Sequence, residues 1–274
     1  MLAAPEKFTA LTVVLTVLLV VACATPVARN NQFAVDNGFK RSEITGDGFT
    51  HVIYQSEQYS NADRMWHIYI EGDGTPWITK TFVAADPTTA KPLMLRLMSD
   101  DPNPAIYLGR PCYHGMKNET SCTPLHWTHQ RYSKQVVASM VAALRRLIDI
   151  NQIQNLALFG HSGGGTLAML MAEHVPETRV VVTLAGNLDI RAWAQRHGYS
   201  TLTHSLNPAD QAPLPATIRQ QHYASHNDNN IPPDIIRPVV KRQLNAEFIL
   251  LEKPDHHCCW QQYWPMILSK LKQP

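Results

Sequence analysis

Residues 155–165, NLALFGHSGGG, and the run TLAMLMA that follows constrain this chain more than any other stretch. Leu156 to Phe159 are apolar and predict a buried strand, the glycines predict a tight turn, and residues 166–172 are apolar nearly all round, which predicts a buried helix. Inside the turn, Gly160, Ser162 and Gly164 alternate with single residues. In that pattern the glycines let a serine take up a strained backbone conformation while neighbouring elements pack close. The serine Oγ is then held out above the sheet, and the Gly163 N–H, at the helix start, is placed to face an oxyanion. The competing reading is a plain glycine turn whose serine caps the helix. The strand before it and the buried helix after it favour the first reading.

The rest of the chain alternates strand and helix signals. Residues 50–55 and 66–70 are β-rich, separated by a polar turn around Asn61, Ala62 and Asp63, and predict a hairpin or adjacent strands. Glu71-Gly72-Asp73-Gly74 then forms a glycine turn. Residues 93–99 predict a helix, residues 105–108 a buried strand, and Val136, Val137, Met140, Val141, Leu144, Leu147 and Ile148 recur at helical spacing. Residues 179–185 predict a further buried strand, residues 217–224 a strand of mixed polarity, residues 248–251 a cleaner strand, and residues 260–271 a closing amphipathic helix. Such alternation is the signature of an α/β fold with a mostly parallel central sheet flanked by helices. Residues 187–213 lack a clear period and contain Trp193, Tyr199 and Leu206, so they are expected to form a short cap.

At the N-terminus, residues 11–21 are an apolar run of signal-peptide length, too short for a mature transmembrane helix. Val20-Val21-Ala22-Cys23 resembles the bacterial lipobox, which implies cleavage before Cys23 and a lipid anchor on it, with Ala24 favouring an outer-membrane location facing the periplasm. The alternative is a plain signal peptide cut near Ala24. On this reading residues 1–22 are a signal peptide, 23–47 a polar tether and 48–274 one domain. The remaining chain of about 250 residues is long enough to bury a sizeable core. A formal charge of +2 with no basic stripe speaks against a nucleic-acid partner. Cys112, Cys122, Cys258 and Cys259 are an even number that leaves three pairings open. Cys112 and Cys122 flank one loop and are favoured as a pair, with Cys258 and Cys259 free or joined to each other. No metal-site spacing is present among the cysteines and histidines, and no cofactor is expected.

Three residue types then fall in a telling order. Ser162 follows the first strong strand, Asp228 lies in SHNDNNIP directly after another, and His256 and His257 follow the last. In this order the chain, from about Gly48 onward, resembles the α/β-hydrolase superfamily, a serine esterase or lipase-like branch with a lipoprotein leader. The resemblance implies Ser162 as nucleophile, His256 as general base and then acid, and Asp228 as the group that orients the imidazole. It implies oxyanion donors at the backbone N–H groups of Gly163 and of Gly72 or Asp73. One departure stands out: many family lipases have His-Gly-Gly-Gly where this chain has Glu71-Gly72-Asp73-Gly74, and a carboxylate beside an oxyanion is unhelpful unless it points away. Asp189 is the runner-up acid and His257 the runner-up base. His161 is expected to line the pocket, and His204, His222 and His226 to be surface or loop histidines. The implied activity is cleavage of a small-molecule or lipid ester; acyl transfer to another acceptor, and a non-catalytic envelope lipoprotein using the fold for binding, are the alternatives.

Overall fold

The computed structural model describes residues 24–56 and 64–271. The predicted signal peptide, Cys23 and the turn at Asn61 to Asp63 lie outside the described residues. In chain order the elements are helix α1 (Pro26–Asp36), strands β1 (Phe39–Thr45), β2 (Thr50–Ser56) and β3 (Trp66–Ile70), helix α2 (Leu93–Ser99) and strand β4 (Ala105–Leu108). Helix α3 (Lys134–Asn151), strand β5 (Leu156–His161), helix α4 (Gly163–Ala172), strand β6 (Thr178–Leu184) and helix α5 (Ile190–His197) follow. Strand β7 (Arg219–Ser225), helix α6 (Pro233–Val240), strand β8 (Ala246–Leu251) and helix α7 (Trp264–Leu271) complete the chain.

One sheet runs in the order β1-β2-β4-β3-β5-β6-β7-β8. Strands β1, β2 and β4 pair antiparallel, and every pair from β4/β3 to β7/β8 is parallel. Strands β3, β4 and β5 are buried at every position, as strands covered on both faces must be. On one face, Val136, Met140 and Leu144 of α3 and Leu167 and Met171 of α4 pack with Ile68, Leu158 and Val181 of the sheet. On the other, Leu93 and Leu97 of α2 and Trp264 and Ile267 of α7 pack with Tyr69, Phe159 and Val182. Tyr69 and Phe159 stack with ring centroids 5.0 Å apart and Trp264 meets Phe159 edge-on at 5.3 Å, which fixes the register of β3, β5 and α7 against one another.

Two expectations change. Strands β2 and β3 are neither a hairpin nor neighbours, because β4 lies between them and pairs with both. Residues 26–45, expected as tether, form α1 and β1, and β1 is the outer strand of the sheet. They are integral because Ala34 is fully buried, the Asn30 side-chain amide donates to the Thr89 carbonyl at 3.1 Å, and the Tyr54 hydroxyl donates to Asn31 at 2.6 Å.

Candidate active site

The turn between β5 and α4 is tight in the way the glycines demand. Ser162 has φ 51° and ψ −119°, in the region that side-chain-bearing residues rarely adopt. A Cβ on Gly160 would lie 2.3 Å from the Gly164 carbonyl oxygen, and one on Gly164 would lie 2.1 Å from that of Ile70. Strand β5, helix α4 and strand β3 therefore approach so closely that only hydrogen fits at these positions.

Ser162, His256 and Asp228 converge there from three loops at the carboxyl ends of β5, β8 and β7. The Ser162 Oγ is 3.1 Å from His256 Nε2, and His256 Nδ1 is 2.8 Å from Asp228 Oδ2. The other Asp228 oxygen accepts the N–H groups of Asn230 and Ile231, each at 2.8 Å, so the carboxylate is held in one orientation. With the Nδ1–H donated to Asp228, His256 Nε2 is left as the acceptor for the serine hydroxyl. His256 is anchored a second way: His161 Nε2–H donates to its carbonyl at 2.8 Å. Burial holds His161 well below its ordinary pKa, with His256 acting in the same direction, so His161 is a neutral strut rather than a charge beside the base.

Among the described residues neither runner-up is hydrogen-bonded to Ser162, whose hydroxyl meets His256. Asp189 caps α5, accepting the N–H groups of Arg191 and Ala192 at 3.1 Å each. His257 packs edge-on against His256 with centroids 5.0 Å apart and lines the cavity, while its backbone N–H donates to Asp255. His204 and His226 are exposed as expected, but His222 is a core residue. It is fully buried on β7, hydrogen-bonded to Thr183 Oγ1 at 2.9 Å, and burial lowers its pKa to about 3.

The loop after β3 resolves the question that Asp73 raises. The carboxylate does not point away: a Cβ on Gly163 would meet Asp73 Oδ1 at 2.1 Å. It is matched instead. Arg110 Nη1 donates to Oδ1 at 2.5 Å, Arg131 Nη1 to Oδ2 at 2.8 Å, and the Tyr132 hydroxyl lies 2.6 Å from both oxygens. The Tyr113 hydroxyl donates to the Asp73 carbonyl at 3.0 Å. Burial alone raises the Asp73 carboxyl, but Arg131, Arg110 and Tyr132 outweigh it and hold the group well below the usual carboxylate range. Nothing short-range in the sequence names these partners, although an arginine two residues after the buried strand β4 is the one available signal. The neighbouring Glu71 accepts from the Gly72 N–H at 3.2 Å and the Met94 N–H at 3.0 Å, which ties the loop to the start of α2. Burial raises its pKa to about 7 against the opposing backbone hydrogen bonds. The Gly72 N–H is thus turned to Glu71.

Above the serine lies a cavity of about 750 Å³. Trp77, Ile78, Trp193, Tyr199 and Leu202 line it together with Asp73, Lys80, Lys91 and Arg131, so the segment expected as a cap does contribute to its walls. Among the described residues no group of three or more histidine, cysteine, aspartate or glutamate side chains could hold a metal ion. No described helix is long and apolar enough to cross a membrane. The sulfurs of Cys112 and Cys122 are bonded, as are those of Cys258 and Cys259 immediately after His257.

No protein-family model matches the chain, and no curated protein sequence does. Solved structures do. An esterase of Pyrococcus furiosus, Pf2001, superposes with a TM-score of 0.61 at 12% identity, over 85% of this chain and 90% of the esterase. VinJ superposes with a TM-score of 0.60 at 10% identity, over 85% of this chain and 98% of its own. The acylaminoacyl peptidase of Pyrococcus horikoshii gives 0.57 at 9% identity; 86% of this chain is covered, but it spans only 41% of that enzyme. At these identities the likeness is one of architecture, and it agrees with the strand order and the strand-turn-helix at Ser162: the chain has the α/β-hydrolase fold.

Proposed function

We propose that the protein is a serine hydrolase that cleaves an ester or related acyl bond through Ser162, His256 and Asp228. The observation that carries the proposal is the continuous chain from Asp228 Oδ2 through His256 to the Ser162 Oγ, 2.8 and 3.1 Å long, at a serine held with positive φ. In this mechanism His256 Nε2 takes the hydroxyl proton as Oγ attacks the carbonyl carbon, and the N–H groups of Gly163 and Asp73 receive the developing oxyanion. His256 then gives its proton to the leaving group, forming an acyl-enzyme. Water attacks that intermediate with His256 again as base, releasing the acid and restoring Ser162. Asp228 stabilises the imidazolium throughout. The residues need no cofactor for these steps, and a cavity of about 750 Å³ suits a small molecule. The architecture shared with an esterase and a peptidase is compatible with the proposal.

A fluorophosphonate probe should label the protein once, on Ser162, and p-nitrophenyl esters of graded chain length should be turned over. Ser162→Ala should abolish both while leaving the circular dichroism unchanged; labelling that persists in the variant refutes the assignment. The lipobox-like Val20 to Cys23 supports a further part of the proposal, a lipid anchor in the bacterial envelope. Cys23→Ser should then release the protein from the membrane fraction or block its processing, and unchanged association argues against the anchor.

A further inference from the structure

Around Asp73, positive charge outweighs negative. The side chains of Arg110 and Arg131 are only 2% and 6% exposed, and they share the single carboxylate of Asp73. Tyr132 and Tyr113 supply no second anion, because burial raises the pKa of both phenols. Glu71 is the other carboxylate among the residues lining the cavity, but it is turned to the amides of Gly72 and Met94. Arg131 donates Nε–H to the Thr128 carbonyl and Nη1–H to Asp73. Its Nη2 makes no hydrogen bond among the described residues, and the side chain lines the cavity. Lys80 and Lys91, both exposed, add two further cations to the cavity walls.

A buried guanidinium that lacks a full counter-charge is unfavourable, and its planar fork fits a carboxylate better than any other common anchor. The same cavity is also lined by Trp77, Trp193, Tyr199 and Leu202. We infer that the substrate is an ester bearing a carboxylate of its own, which pairs with Arg131 while the apolar remainder lies against Trp77 and Trp193. Asp73, which holds Arg131, packs directly on Gly163, so the carboxylate binds near the reacting carbonyl rather than at the far end of the cavity. This inference rests on the acyl-bond chemistry proposed above. It leaves the carboxylate on either the acyl or the alcohol side of the ester, and the test separates the two.

The test compares monoethyl adipate, with the carboxylate on the acyl side, butyryloxyacetate, with it on the alcohol side, and neutral ethyl hexanoate, by proton release. One charge-assisted hydrogen bond corresponds to roughly tenfold or more in affinity, so kcat/KM for one of the two anionic esters should exceed that for ethyl hexanoate by at least about tenfold. The preference should fall as salt is raised. Arg131→Gln should bring the ratio close to one, and Lys91→Glu, at an exposed position where folding is not at risk, should lower it severalfold. Equal or faster turnover of ethyl hexanoate, or a ratio unmoved in Lys91→Glu and in whichever Arg131 variant folds, Gln or Lys, overturns the inference. Adipate itself gives a readout that needs no turnover: it should raise the melting temperature of the Ser162→Ala protein, and less so when Arg131 is Lys. Ester hydrolysis and Ser162 labelling without any anionic preference would remove this inference and leave the hydrolase proposal standing. Adipate stabilisation without labelling would refute the hydrolase proposal and the ester with it, leaving only carboxylate binding at Arg131.

Discussion

Replacing Asp73 by Asn keeps the side chain's size and removes the one negative charge that two buried arginines share. In the structure that carboxylate receives Arg110 at 2.5 Å, Arg131 at 2.8 Å and the Tyr132 hydroxyl at 2.6 Å, with the arginine side chains 2% and 6% exposed. An asparagine offers one acceptor oxygen and turns an N–H₂ group toward a guanidinium, leaving at least one buried cation unmatched. Breaking a buried pair in this way costs about 3–5 kcal/mol. At roughly 2–4 °C per kcal/mol for a domain of this size, the melting temperature should fall by about 6–20 °C. Thermal unfolding followed by circular dichroism at neutral pH measures this directly. The acid side gives an internal control. Because the folded Asp73 pKa is depressed, its contribution is present above the ordinary carboxylate value near 3.8 and is lost as pH drops toward the folded value. The gap between wild type and variant should therefore narrow below about pH 4. A neutral-pH shift under about 2 °C, or a gap independent of pH, would show that the arginines do not depend on this carboxylate.

Asp228→Asn should lower kcat by about 10⁴-fold, whereas Asp189→Asn, which alters only a helix cap, should change stability by about 1 kcal/mol at most and leave kcat within a few-fold; a steady-state assay on both variants decides between the two acids. Glu71 has its pKa raised from 4.5 to about 7 by burial, so its contribution to stability is full at pH values below about 4.5 and is lost as pH rises through 7. Glu71→Gln should flatten that part of the melting-temperature profile, and an unchanged profile would exclude Glu71 as its source. Gly160→Ala places a methyl 2.3 Å from a backbone oxygen and should prevent accumulation of folded protein, as judged by soluble yield and unfolding midpoint. Peptide mapping without reduction should find Cys112 joined to Cys122, and opening that short loop by Cys122→Ser should cost roughly 2–3 kcal/mol in denaturant unfolding.

What could be read in advance follows from how local the cause is. The elbow was legible because its strand, glycines and buried helix lie within one continuous stretch, residues 155–172. Asp228 and His256 came only through the resemblance to the α/β-hydrolases, whose order of serine, acid and histidine they match; the strand before His256 shows an apolar run, whereas the one before Asp228, RQQHYAS, does not. Strand order was not legible, because placing β4 between β2 and β3 depends on pairing across the sheet, and the apolar runs at residues 50–55 and 66–70 look like neighbours. The partners of Asp73 lie 37, 58 and 59 residues away, beyond any spacing rule. The segment from Pro26 to Thr45 misled through its polarity: α1 buries only Asn30 and Ala34, and β1 buries only Phe39.

That polarity has its own consequence. Strand β1 closes one margin of the sheet with Lys40, Arg41 and Glu43 exposed, and charged side chains on an outermost strand discourage a second molecule from adding to it. Behind it, β2 carries His51, Val52, Ile53 and Tyr54, all fully buried. A polypeptide started at Gly48 would uncover this apolar strand as a long free edge. It would be expected to self-associate through backbone pairing rather than behave as a smaller version of the domain.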